Sequence, residues 1–311
     1  MKCTIKTITI MRNSSFFTVQ SLFVMAILSL STAFCAMADD YVRGDVDEDG
    51  LVNISDVTAL IDYLLTGIWP GEEPGQPAYE TFTVNGVSFK MIFVEGGTFT
   101  MGATFEQTNA SENEKPAHNV TLSNYYISET EVTQELYLAV VGSNPSSAIG
   151  AKLPVERVTW ANCQTFATKL SQLTGKTFLL PTEAQWEYAA RGGVKRQGFV
   201  YPGSDTLYDV AWSQNSGNKS HQVGTKAPNE LGIYDMAGNV SEWCRDWYGA
   251  TYYSSSPSNN PTGPTSGSYR VHRGGCYNIY HGDGYCRVSS REYTSPSNSS
   301  KDLGFRVVMI P

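Results

Sequence analysis

Charged residues are scarce, at 17% of 311, so the sequence has neither the dense charge of a helical bundle nor the self-repulsion of a disordered chain. Positive charge is the scarcer kind, with 22 Lys and Arg against 30 Asp and Glu and a formal net charge of −8. Nucleic acid is thereby excluded as a partner. Long apolar runs are missing too, save one from Phe16 to Phe34. What is plentiful is glycine (28) and proline (14), together with 41% hydrophobic and 12% aromatic residues. Such a chain packs a core and spends much of its length on turns and loops, where function is carried.

Lys2, Lys6 and Arg12 precede the single apolar run and Ala36-Met37-Ala38 closes it. This is the pattern of a signal peptide over residues 1–38, cut before Asp39, and it implies an exported product, extracellular or periplasmic or at the cell surface, without a membrane span. A transmembrane anchor is the competing reading, but the run is short and polar at Gln20 and Ser21. A lipid anchor on Cys35 is a third, with Phe34 bulky for that site. Cleavage removes three positive and no negative charges, taking −8 to −11. It also removes Cys3 and Cys35, leaving Cys163, Cys244, Cys276 and Cys286 in an oxidising compartment where disulfides form. Four cysteines allow three pairings, and the sequence does not choose among them.

Residues 39–69 hold a calcium-loop pattern. Asp45, Asp47, Asp49, Asn53 and Asp56 stand at loop positions 1, 3, 5, 9 and 12, Gly50 at 6, and Leu51 offers its carbonyl at 7. These carboxylates repel one another unless a hard cation sits between them. Val57, Leu60, Ile61, Leu64 and Leu65 then recur at helical spacing. With Asp at position 12, the segment resembles one repeat of a bacterial dockerin, which implies a cohesin-like or intrachain partner. Dockerins normally carry two repeats and only one is present here. Residues 70–78, rich in Pro, Gly and Glu, form a stiff linker.

From 79 to 311 the chain alternates strand-like and helix-like pieces. Met91, Phe93, Phe99 and Met101 punctuate a predicted hairpin about Gly96-Gly97. Thr133 caps a helix to about Val141. A second helix puts Cys163, Phe166, Ala167, Leu170 and Leu173 on one face and stops at Gly175. A third starts at the capping box Thr182–Gln185 and ends at Gly192-Gly193. Short aromatic strands are expected over 239–248 and 304–309.

The blocks Gly96-Gly97-Thr98-Phe99-Thr100-Met101-Gly102, Glu131-Val132-Thr133, Leu180-Pro181-Thr182-Glu183-Ala184-Gln185-Trp186-Glu187, Gly238-Asn239-Val240-Ser241-Glu242-Trp243, Arg273-Gly274-Gly275 and Gly304-Phe305-Arg306 resemble, in this order, the formylglycine-generating (sulfatase-modifying factor) family. The resemblance implies an α+β, C-type-lectin-like fold with little regular secondary structure. It also implies a second calcium ion, on the Asp235 and Glu242 carboxylates and the Gly238 and Val240 carbonyls. The family's reaction oxidises a protein cysteine with copper held between two thiols. Those thiols would fall at Ile279 and near Gly284, and neither is cysteine. Soft Cu(I) needs thiolates, so no catalytic residue is assigned. Cys276 and Cys286 flank the same loop and are the alternative copper pair, while a disulfide from Cys286 to Cys244 or Cys276 is the plainer reading.

The loop itself has a binding-surface composition, with Tyr277, Asn278, Ile279, Tyr280, His281, Asp283, Tyr285, Glu292 and Tyr293 as candidate ligand contacts. It resembles the variable region of retroelement-diversified receptors, in which scattered Asn codons become Tyr, Ile, His, Asp, Ser and Gly. Arg287 and Arg291 look like fixed scaffold. The resemblance implies a protein or glycan ligand. Ordinary solvated loop residues are the blander reading.

Overall fold

The structure is a computed structural model that describes Val57 and residues 78–311 apart from 215 and 279–281. The signal peptide, the calcium loop from Asp45 to Asp56 and most of the linker lie outside the described residues, as do Ile279, Tyr280 and His281. The larger unit is Gln76–Pro311. Among the described residues no helix is long and apolar enough to cross a membrane.

β1 (Tyr79–Val84) and β2 (Val87–Val94) pair across Asn85-Gly86, whose φ angles of 48° and 85° make the two-residue turn that matches strand twist. Next to β2 comes β5 (Tyr125–Ser128), then β11 (Val308–Ile310), then β6 (Thr177–Leu179), all antiparallel in one five-stranded sheet. The hairpin expected about Gly96-Gly97 does not form. β3 (Gly97–Met101) leaves β2 and pairs with β4 (His118–Leu122) in a separate ribbon. A Cβ on Gly96 would lie 2.4 Å from the Leu122 carbonyl oxygen, so glycine here lets two backbones pass close together.

A four-stranded sheet orders β10 (Leu303–Gly304), β7 (Ser241–Trp247), β8 (Arg270–Arg273) and β9 (Glu292–Thr294), with β10 parallel to β7. The single strand expected over 304–309 is thus divided between two sheets. Phe305, Arg306 and Val307 are buried at the crossing, where Arg306 turns towards Glu242.

Three helices lie where their caps place them. α1 (Gln134–Val141) starts at Thr133 and stops at left-handed Gly142, and α2 (Trp160–Thr174) starts at a Thr159–Asn162 capping box and stops at Gly175. α3 (Glu183–Ala190) begins where the Thr182 hydroxyl accepts from Gln185 N (3.1 Å) and the Gln185 side chain accepts from Thr182 N (2.9 Å). Of the α2 stripe, Cys163, Phe166, Ala167 and Leu170 are buried, but Leu173 is 52% exposed. It sits at the stripe's edge, in the last turn. One core gathers Phe166, Phe178, Tyr137, Trp243 and Phe305. A second gathers Trp186, Tyr188, Phe99 and Val271 between α3 and the four-stranded sheet. The result is an α+β fold in which the sheets position long connecting loops.

Candidate functional site

β7 and β8 are antiparallel and bring Glu242 opposite Arg273. Past Arg273 the chain turns at Gly274 and Gly275, with φ of +95° and +65°. A Cβ on Gly275 would lie 2.8 Å from Cys286 Sγ, so glycine lets residues 276–278 lie across the 3-10 turn Asp283–Cys286. Three bonds hold this stretch down. Tyr277 N donates to the Asn239 carbonyl (3.0 Å), its hydroxyl donates to the Lys301 carbonyl (3.1 Å), and Asn278 Nδ2 donates to Asp302 Oδ2 (2.6 Å). Tyr277, expected on the surface, is therefore buried and forms the floor of the loop. Asn278, Asp283 and Glu292 are half-buried, and Tyr285 and Tyr293 are exposed.

Behind the loop lies a rigid wall of ion pairs. Arg287 forks onto Glu114, with Nη1 to Oε2 at 2.8 Å and Nη2 to Oε1 at 2.7 Å. Arg291 forks onto Glu183. Arg273 bonds Glu187 and donates to the carbonyls of Val288 and Ser289. Burial alone raises the Glu183 carboxyl, yet Arg291 and Arg273 hold it below its ordinary value. Such bidentate pairs in a dry interior fix the backbone of 287–291, as expected for Arg287 and Arg291.

Two aromatic flanks were not foreseen. Trp212 stacks on His221 at 3.9 Å and 6°, and the His221 N–H donates to Asn239 Oδ1 (2.9 Å), the residue whose carbonyl also receives Tyr277 N. On another flank Tyr293 stacks on Tyr248 (3.9 Å) and tilts against Tyr269 (5.4 Å). Trp212 and His221 are nine positions apart, and Tyr248 and Tyr269 stand 45 and 24 positions before Tyr293, so periodicity carries no signal for them.

The thiols sit in an anionic surrounding. All four cysteines of the described residues are free and buried, so the disulfide from Cys286 is not present. Burial, then the charges of Asp283 and Glu292, push the Cys286 thiol up to about 12. Burial and Asp302 push Cys276 up as well. Both are protonated at neutral pH. They fit Cu(I) poorly, because a soft cation wants thiolates and burial with the nearby carboxylates favours the protonated thiols.

The expected metal loop packs against Glu131. Asp235, Gly238 and Asn239 all have positive φ (55°, 74° and 54°), and a Cβ on Gly238 would lie 2.3 Å from the Trp212 carbonyl oxygen. Glu131 accepts from Val240 N (3.0 Å) and Asn239 Nδ2 (2.7 Å). Glu242 accepts from Arg306 (2.6 and 2.7 Å) and from Trp186 Nε1 (2.7 Å). Asp235 Oδ2 accepts from Gly224 N (2.7 Å), while its Oδ1 is buried without a partner. Three carboxylates thus share one guanidinium. Burial raises Asp235 to about 6, with Glu242 adding to it, and burial together with Asp235 and Glu242 drives Glu131 well up. Uncompensated negative charge and an orphaned carboxylate oxygen suit a hard cation. Among the described residues no three His, Cys, Asp or Glu side chains converge on one point, so a cation here would have to draw on backbone carbonyls.

Comparison with known proteins adds four findings. The sulfatase-modifying factor enzyme 1-like domain matches residues 77–310. A formylglycine-generating enzyme of Streptomyces coelicolor is 32% identical over 301 residues, covering 75% of this chain and 92% of its own. Treponema denticola variable protein 1 superposes with a TM-score of 0.65 at 36% identity, over 76% of this chain and 100% of its own. PvdO from Pseudomonas aeruginosa superposes with a TM-score of 0.66 at 26% identity, over 76% and 99%.

Proposed function

The chain belongs to the family of sulfatase-modifying factor enzyme 1-like domains, and from that membership we propose an exported, calcium-stabilised binding protein in place of a cysteine oxidase. The observation that carries the reading is a tyrosine-bearing loop fixed at both ends, by Tyr277 and Asn278 on one side and Arg287 and Arg291 on the other. A surface that is rigid at its roots and amphipathic at its face binds with little ordering cost. Exposed Tyr285 and Tyr293 and half-buried Asn278, Asp283 and Glu292 supply contacts, joined by Ile279, Tyr280 and His281 from outside the described residues. The likeness to a Treponema variable protein supports a loop that is diversified for recognition of a protein or glycan. Calcium is assigned to Asp235, Glu242 and the carbonyls of Gly238 and Val240, where it relieves the carboxylate repulsion. A second calcium ion is assigned to the Asp45–Asp56 loop, whose partner is cohesin-like or lies within the same chain.

The rival reading is a copper-dependent oxidase on Cys276 and Cys286, favoured by the identity to a formylglycine-generating enzyme. Anaerobic Cu(I) titration separates the two. A binder takes up no tight stoichiometric copper. Uptake that disappears in Cys276→Ser, with conversion of a sulfatase peptide's thiol to an aldehyde, establishes the oxidase instead. Diversification is read from the gene, as a near-identical repeat that differs only at adenines beside a reverse transcriptase.

A further inference from the structure

Arg270 differs from the arginines that pack the interior. Arg191, Arg273, Arg287, Arg291 and Arg306 each meet a glutamate, but among the described residues no carboxylate lies within ion-pair distance of Arg270. Two indoles hold it instead, with the guanidinium 3.6 Å from the centre of the Trp160 ring and 3.5 Å from that of Trp247. The stack follows from the sheet register. Trp247, Arg270 and Thr294 are cross-strand partners on β7, β8 and β9 and so share one face. Trp160, the first residue of α2, closes over the guanidinium from the other side.

The positive charge held there has no local answer. Nη1 of Arg270 donates to the Arg245 carbonyl, in the stretch where β7 slips register between Trp243 and Trp247. Nε is sealed without a partner, while Nη2 has none either and is not enclosed. Burial draws the Arg270 pKa down to about 10 against the pull of Asp246, which is itself buried and bonded to Glu183 N. The helix adds to the imbalance, because the N-terminus of α2 carries the positive end of its dipole. α1 and α3 place Glu135 and Glu183 in their first turns, whereas the first turn of α2 has no acid. A guanidinium at a helix N-terminus, partly out of water and without a counter-charge, is a cost that a bound anion removes.

The surroundings suit an oxyanion. An indole that turns its negative faces to the guanidinium turns its positive edges outward. The Thr294 hydroxyl accepts from Asn298 Nδ2 (3.2 Å), which leaves its proton free to donate. We propose that Arg270 anchors an oxyanion site on this face, taking the carboxylate or sulfate of an acidic ligand at Nη2, with the Thr294 hydroxyl as a second donor between the edges of Trp160 and Trp247. The site uses no contact from residues 277–285, so it stands if the role proposed for the tyrosine-bearing loop fails.

The probes are glucuronate and glucose 6-sulfate, titrated into the full chain at fixed ionic strength and followed by tryptophan fluorescence, with glucose as the uncharged control. The net charge of −8 keeps anions from gathering on the chain at large. At least one acidic sugar is expected to saturate below about 10 mM, and glucose to bind at least about tenfold more weakly. The tighter of the two acids names the group. Arg270→Met keeps an unbranched chain between the indoles and is expected to weaken binding by about tenfold or more. Ala161→Glu, at an exposed position in the first turn of α2, supplies the missing negative charge from within the chain. It is expected to raise Tm and to weaken the acidic sugar by about threefold or more, and it decides the matter if Arg270→Met does not fold. No saturable signal from either acid up to about 10 mM, equal affinity for glucose, or unaltered binding in either folded variant overturns the proposal.

Discussion

Arg291 lies flat against Glu183, Nε to Oε1 at 2.6 Å and Nη2 to Oε2 at 2.7 Å, although 108 positions separate them in the chain. The pair joins the start of α3 to the segment that leaves the tyrosine-bearing loop, so loop placement and core packing depend on one contact. Removing one partner leaves a buried, unpaired charge. Glu183→Gln is expected to cost about 3–5 kcal/mol in urea unfolding. Arg291→Lys should also destabilise, because an ammonium cannot make the fork. The double variant Glu183→Leu with Arg291→Met should recover part of the loss.

Asp246 gives a pH-dependent test. Burial, and then the charge of Glu183, raise its carboxyl to about 7. The folded state therefore holds this proton more tightly than the unfolded chain, whose Asp titrates near about 3.9. Its contribution is complete below about pH 4 and is lost as pH rises through 7. Asp246→Asn can still accept the hydrogen bond from Glu183 N. It should match the wild type near about pH 4 and exceed it by about 1–3 kcal/mol near pH 8, measured as the difference between two unfolding curves at each pH.

Calcium removal gives a third. With Asp235 raised to about 6, chelation at pH 7.5 should lower Tm by several degrees, and the drop should shrink as pH falls through 6 and protons take the cation's place. Asp235→Asn should abolish most of the chelator effect from this loop. A chelator effect unchanged in that variant removes Asp235 from the ligand set.

Two glycines make a matched pair. Gly275 has a φ of +65° and a Cβ there would lie 2.8 Å from Cys286 Sγ, whereas Gly282 has an ordinary φ of −66° and open space around it. Gly275→Ala is expected to cost about 1–3 kcal/mol, and Gly282→Ala to stay within about 0.5 kcal/mol. Thermal unfolding of both variants checks the contrast.

The sequence already held the helix starts, because Thr133 and the Thr182–Gln185 box act within one turn of chain. It also held the Asn85-Gly86 hairpin signal, which sequence reading passed over in favour of Gly96-Gly97. The glycine pair looked like a turn, but it serves close passage beneath Leu122, and only the tertiary structure reveals that use. Arg287 and Arg291 were legible as scaffold, their carboxylate partners were not, since Glu114 and Glu183 lie more than a hundred positions away. Tyr277 was read as a surface residue from its neighbours' composition. Its burial follows from a bond to the Lys301 carbonyl that no local pattern records.

In the five-stranded sheet β11 lies between β5 and β6. A nascent chain that has already made β1, β2, β5 and β6 still holds a three-stranded piece, β1-β2-β5, and β6 by itself, with a gap one strand wide. Closure waits for Val308–Ile310, so the sheet assembles late and through distant contacts, which makes for slow folding. A chain stopped a few residues early should therefore be cleared by proteases as an unfinished product, even though every side chain of the loop has been synthesised.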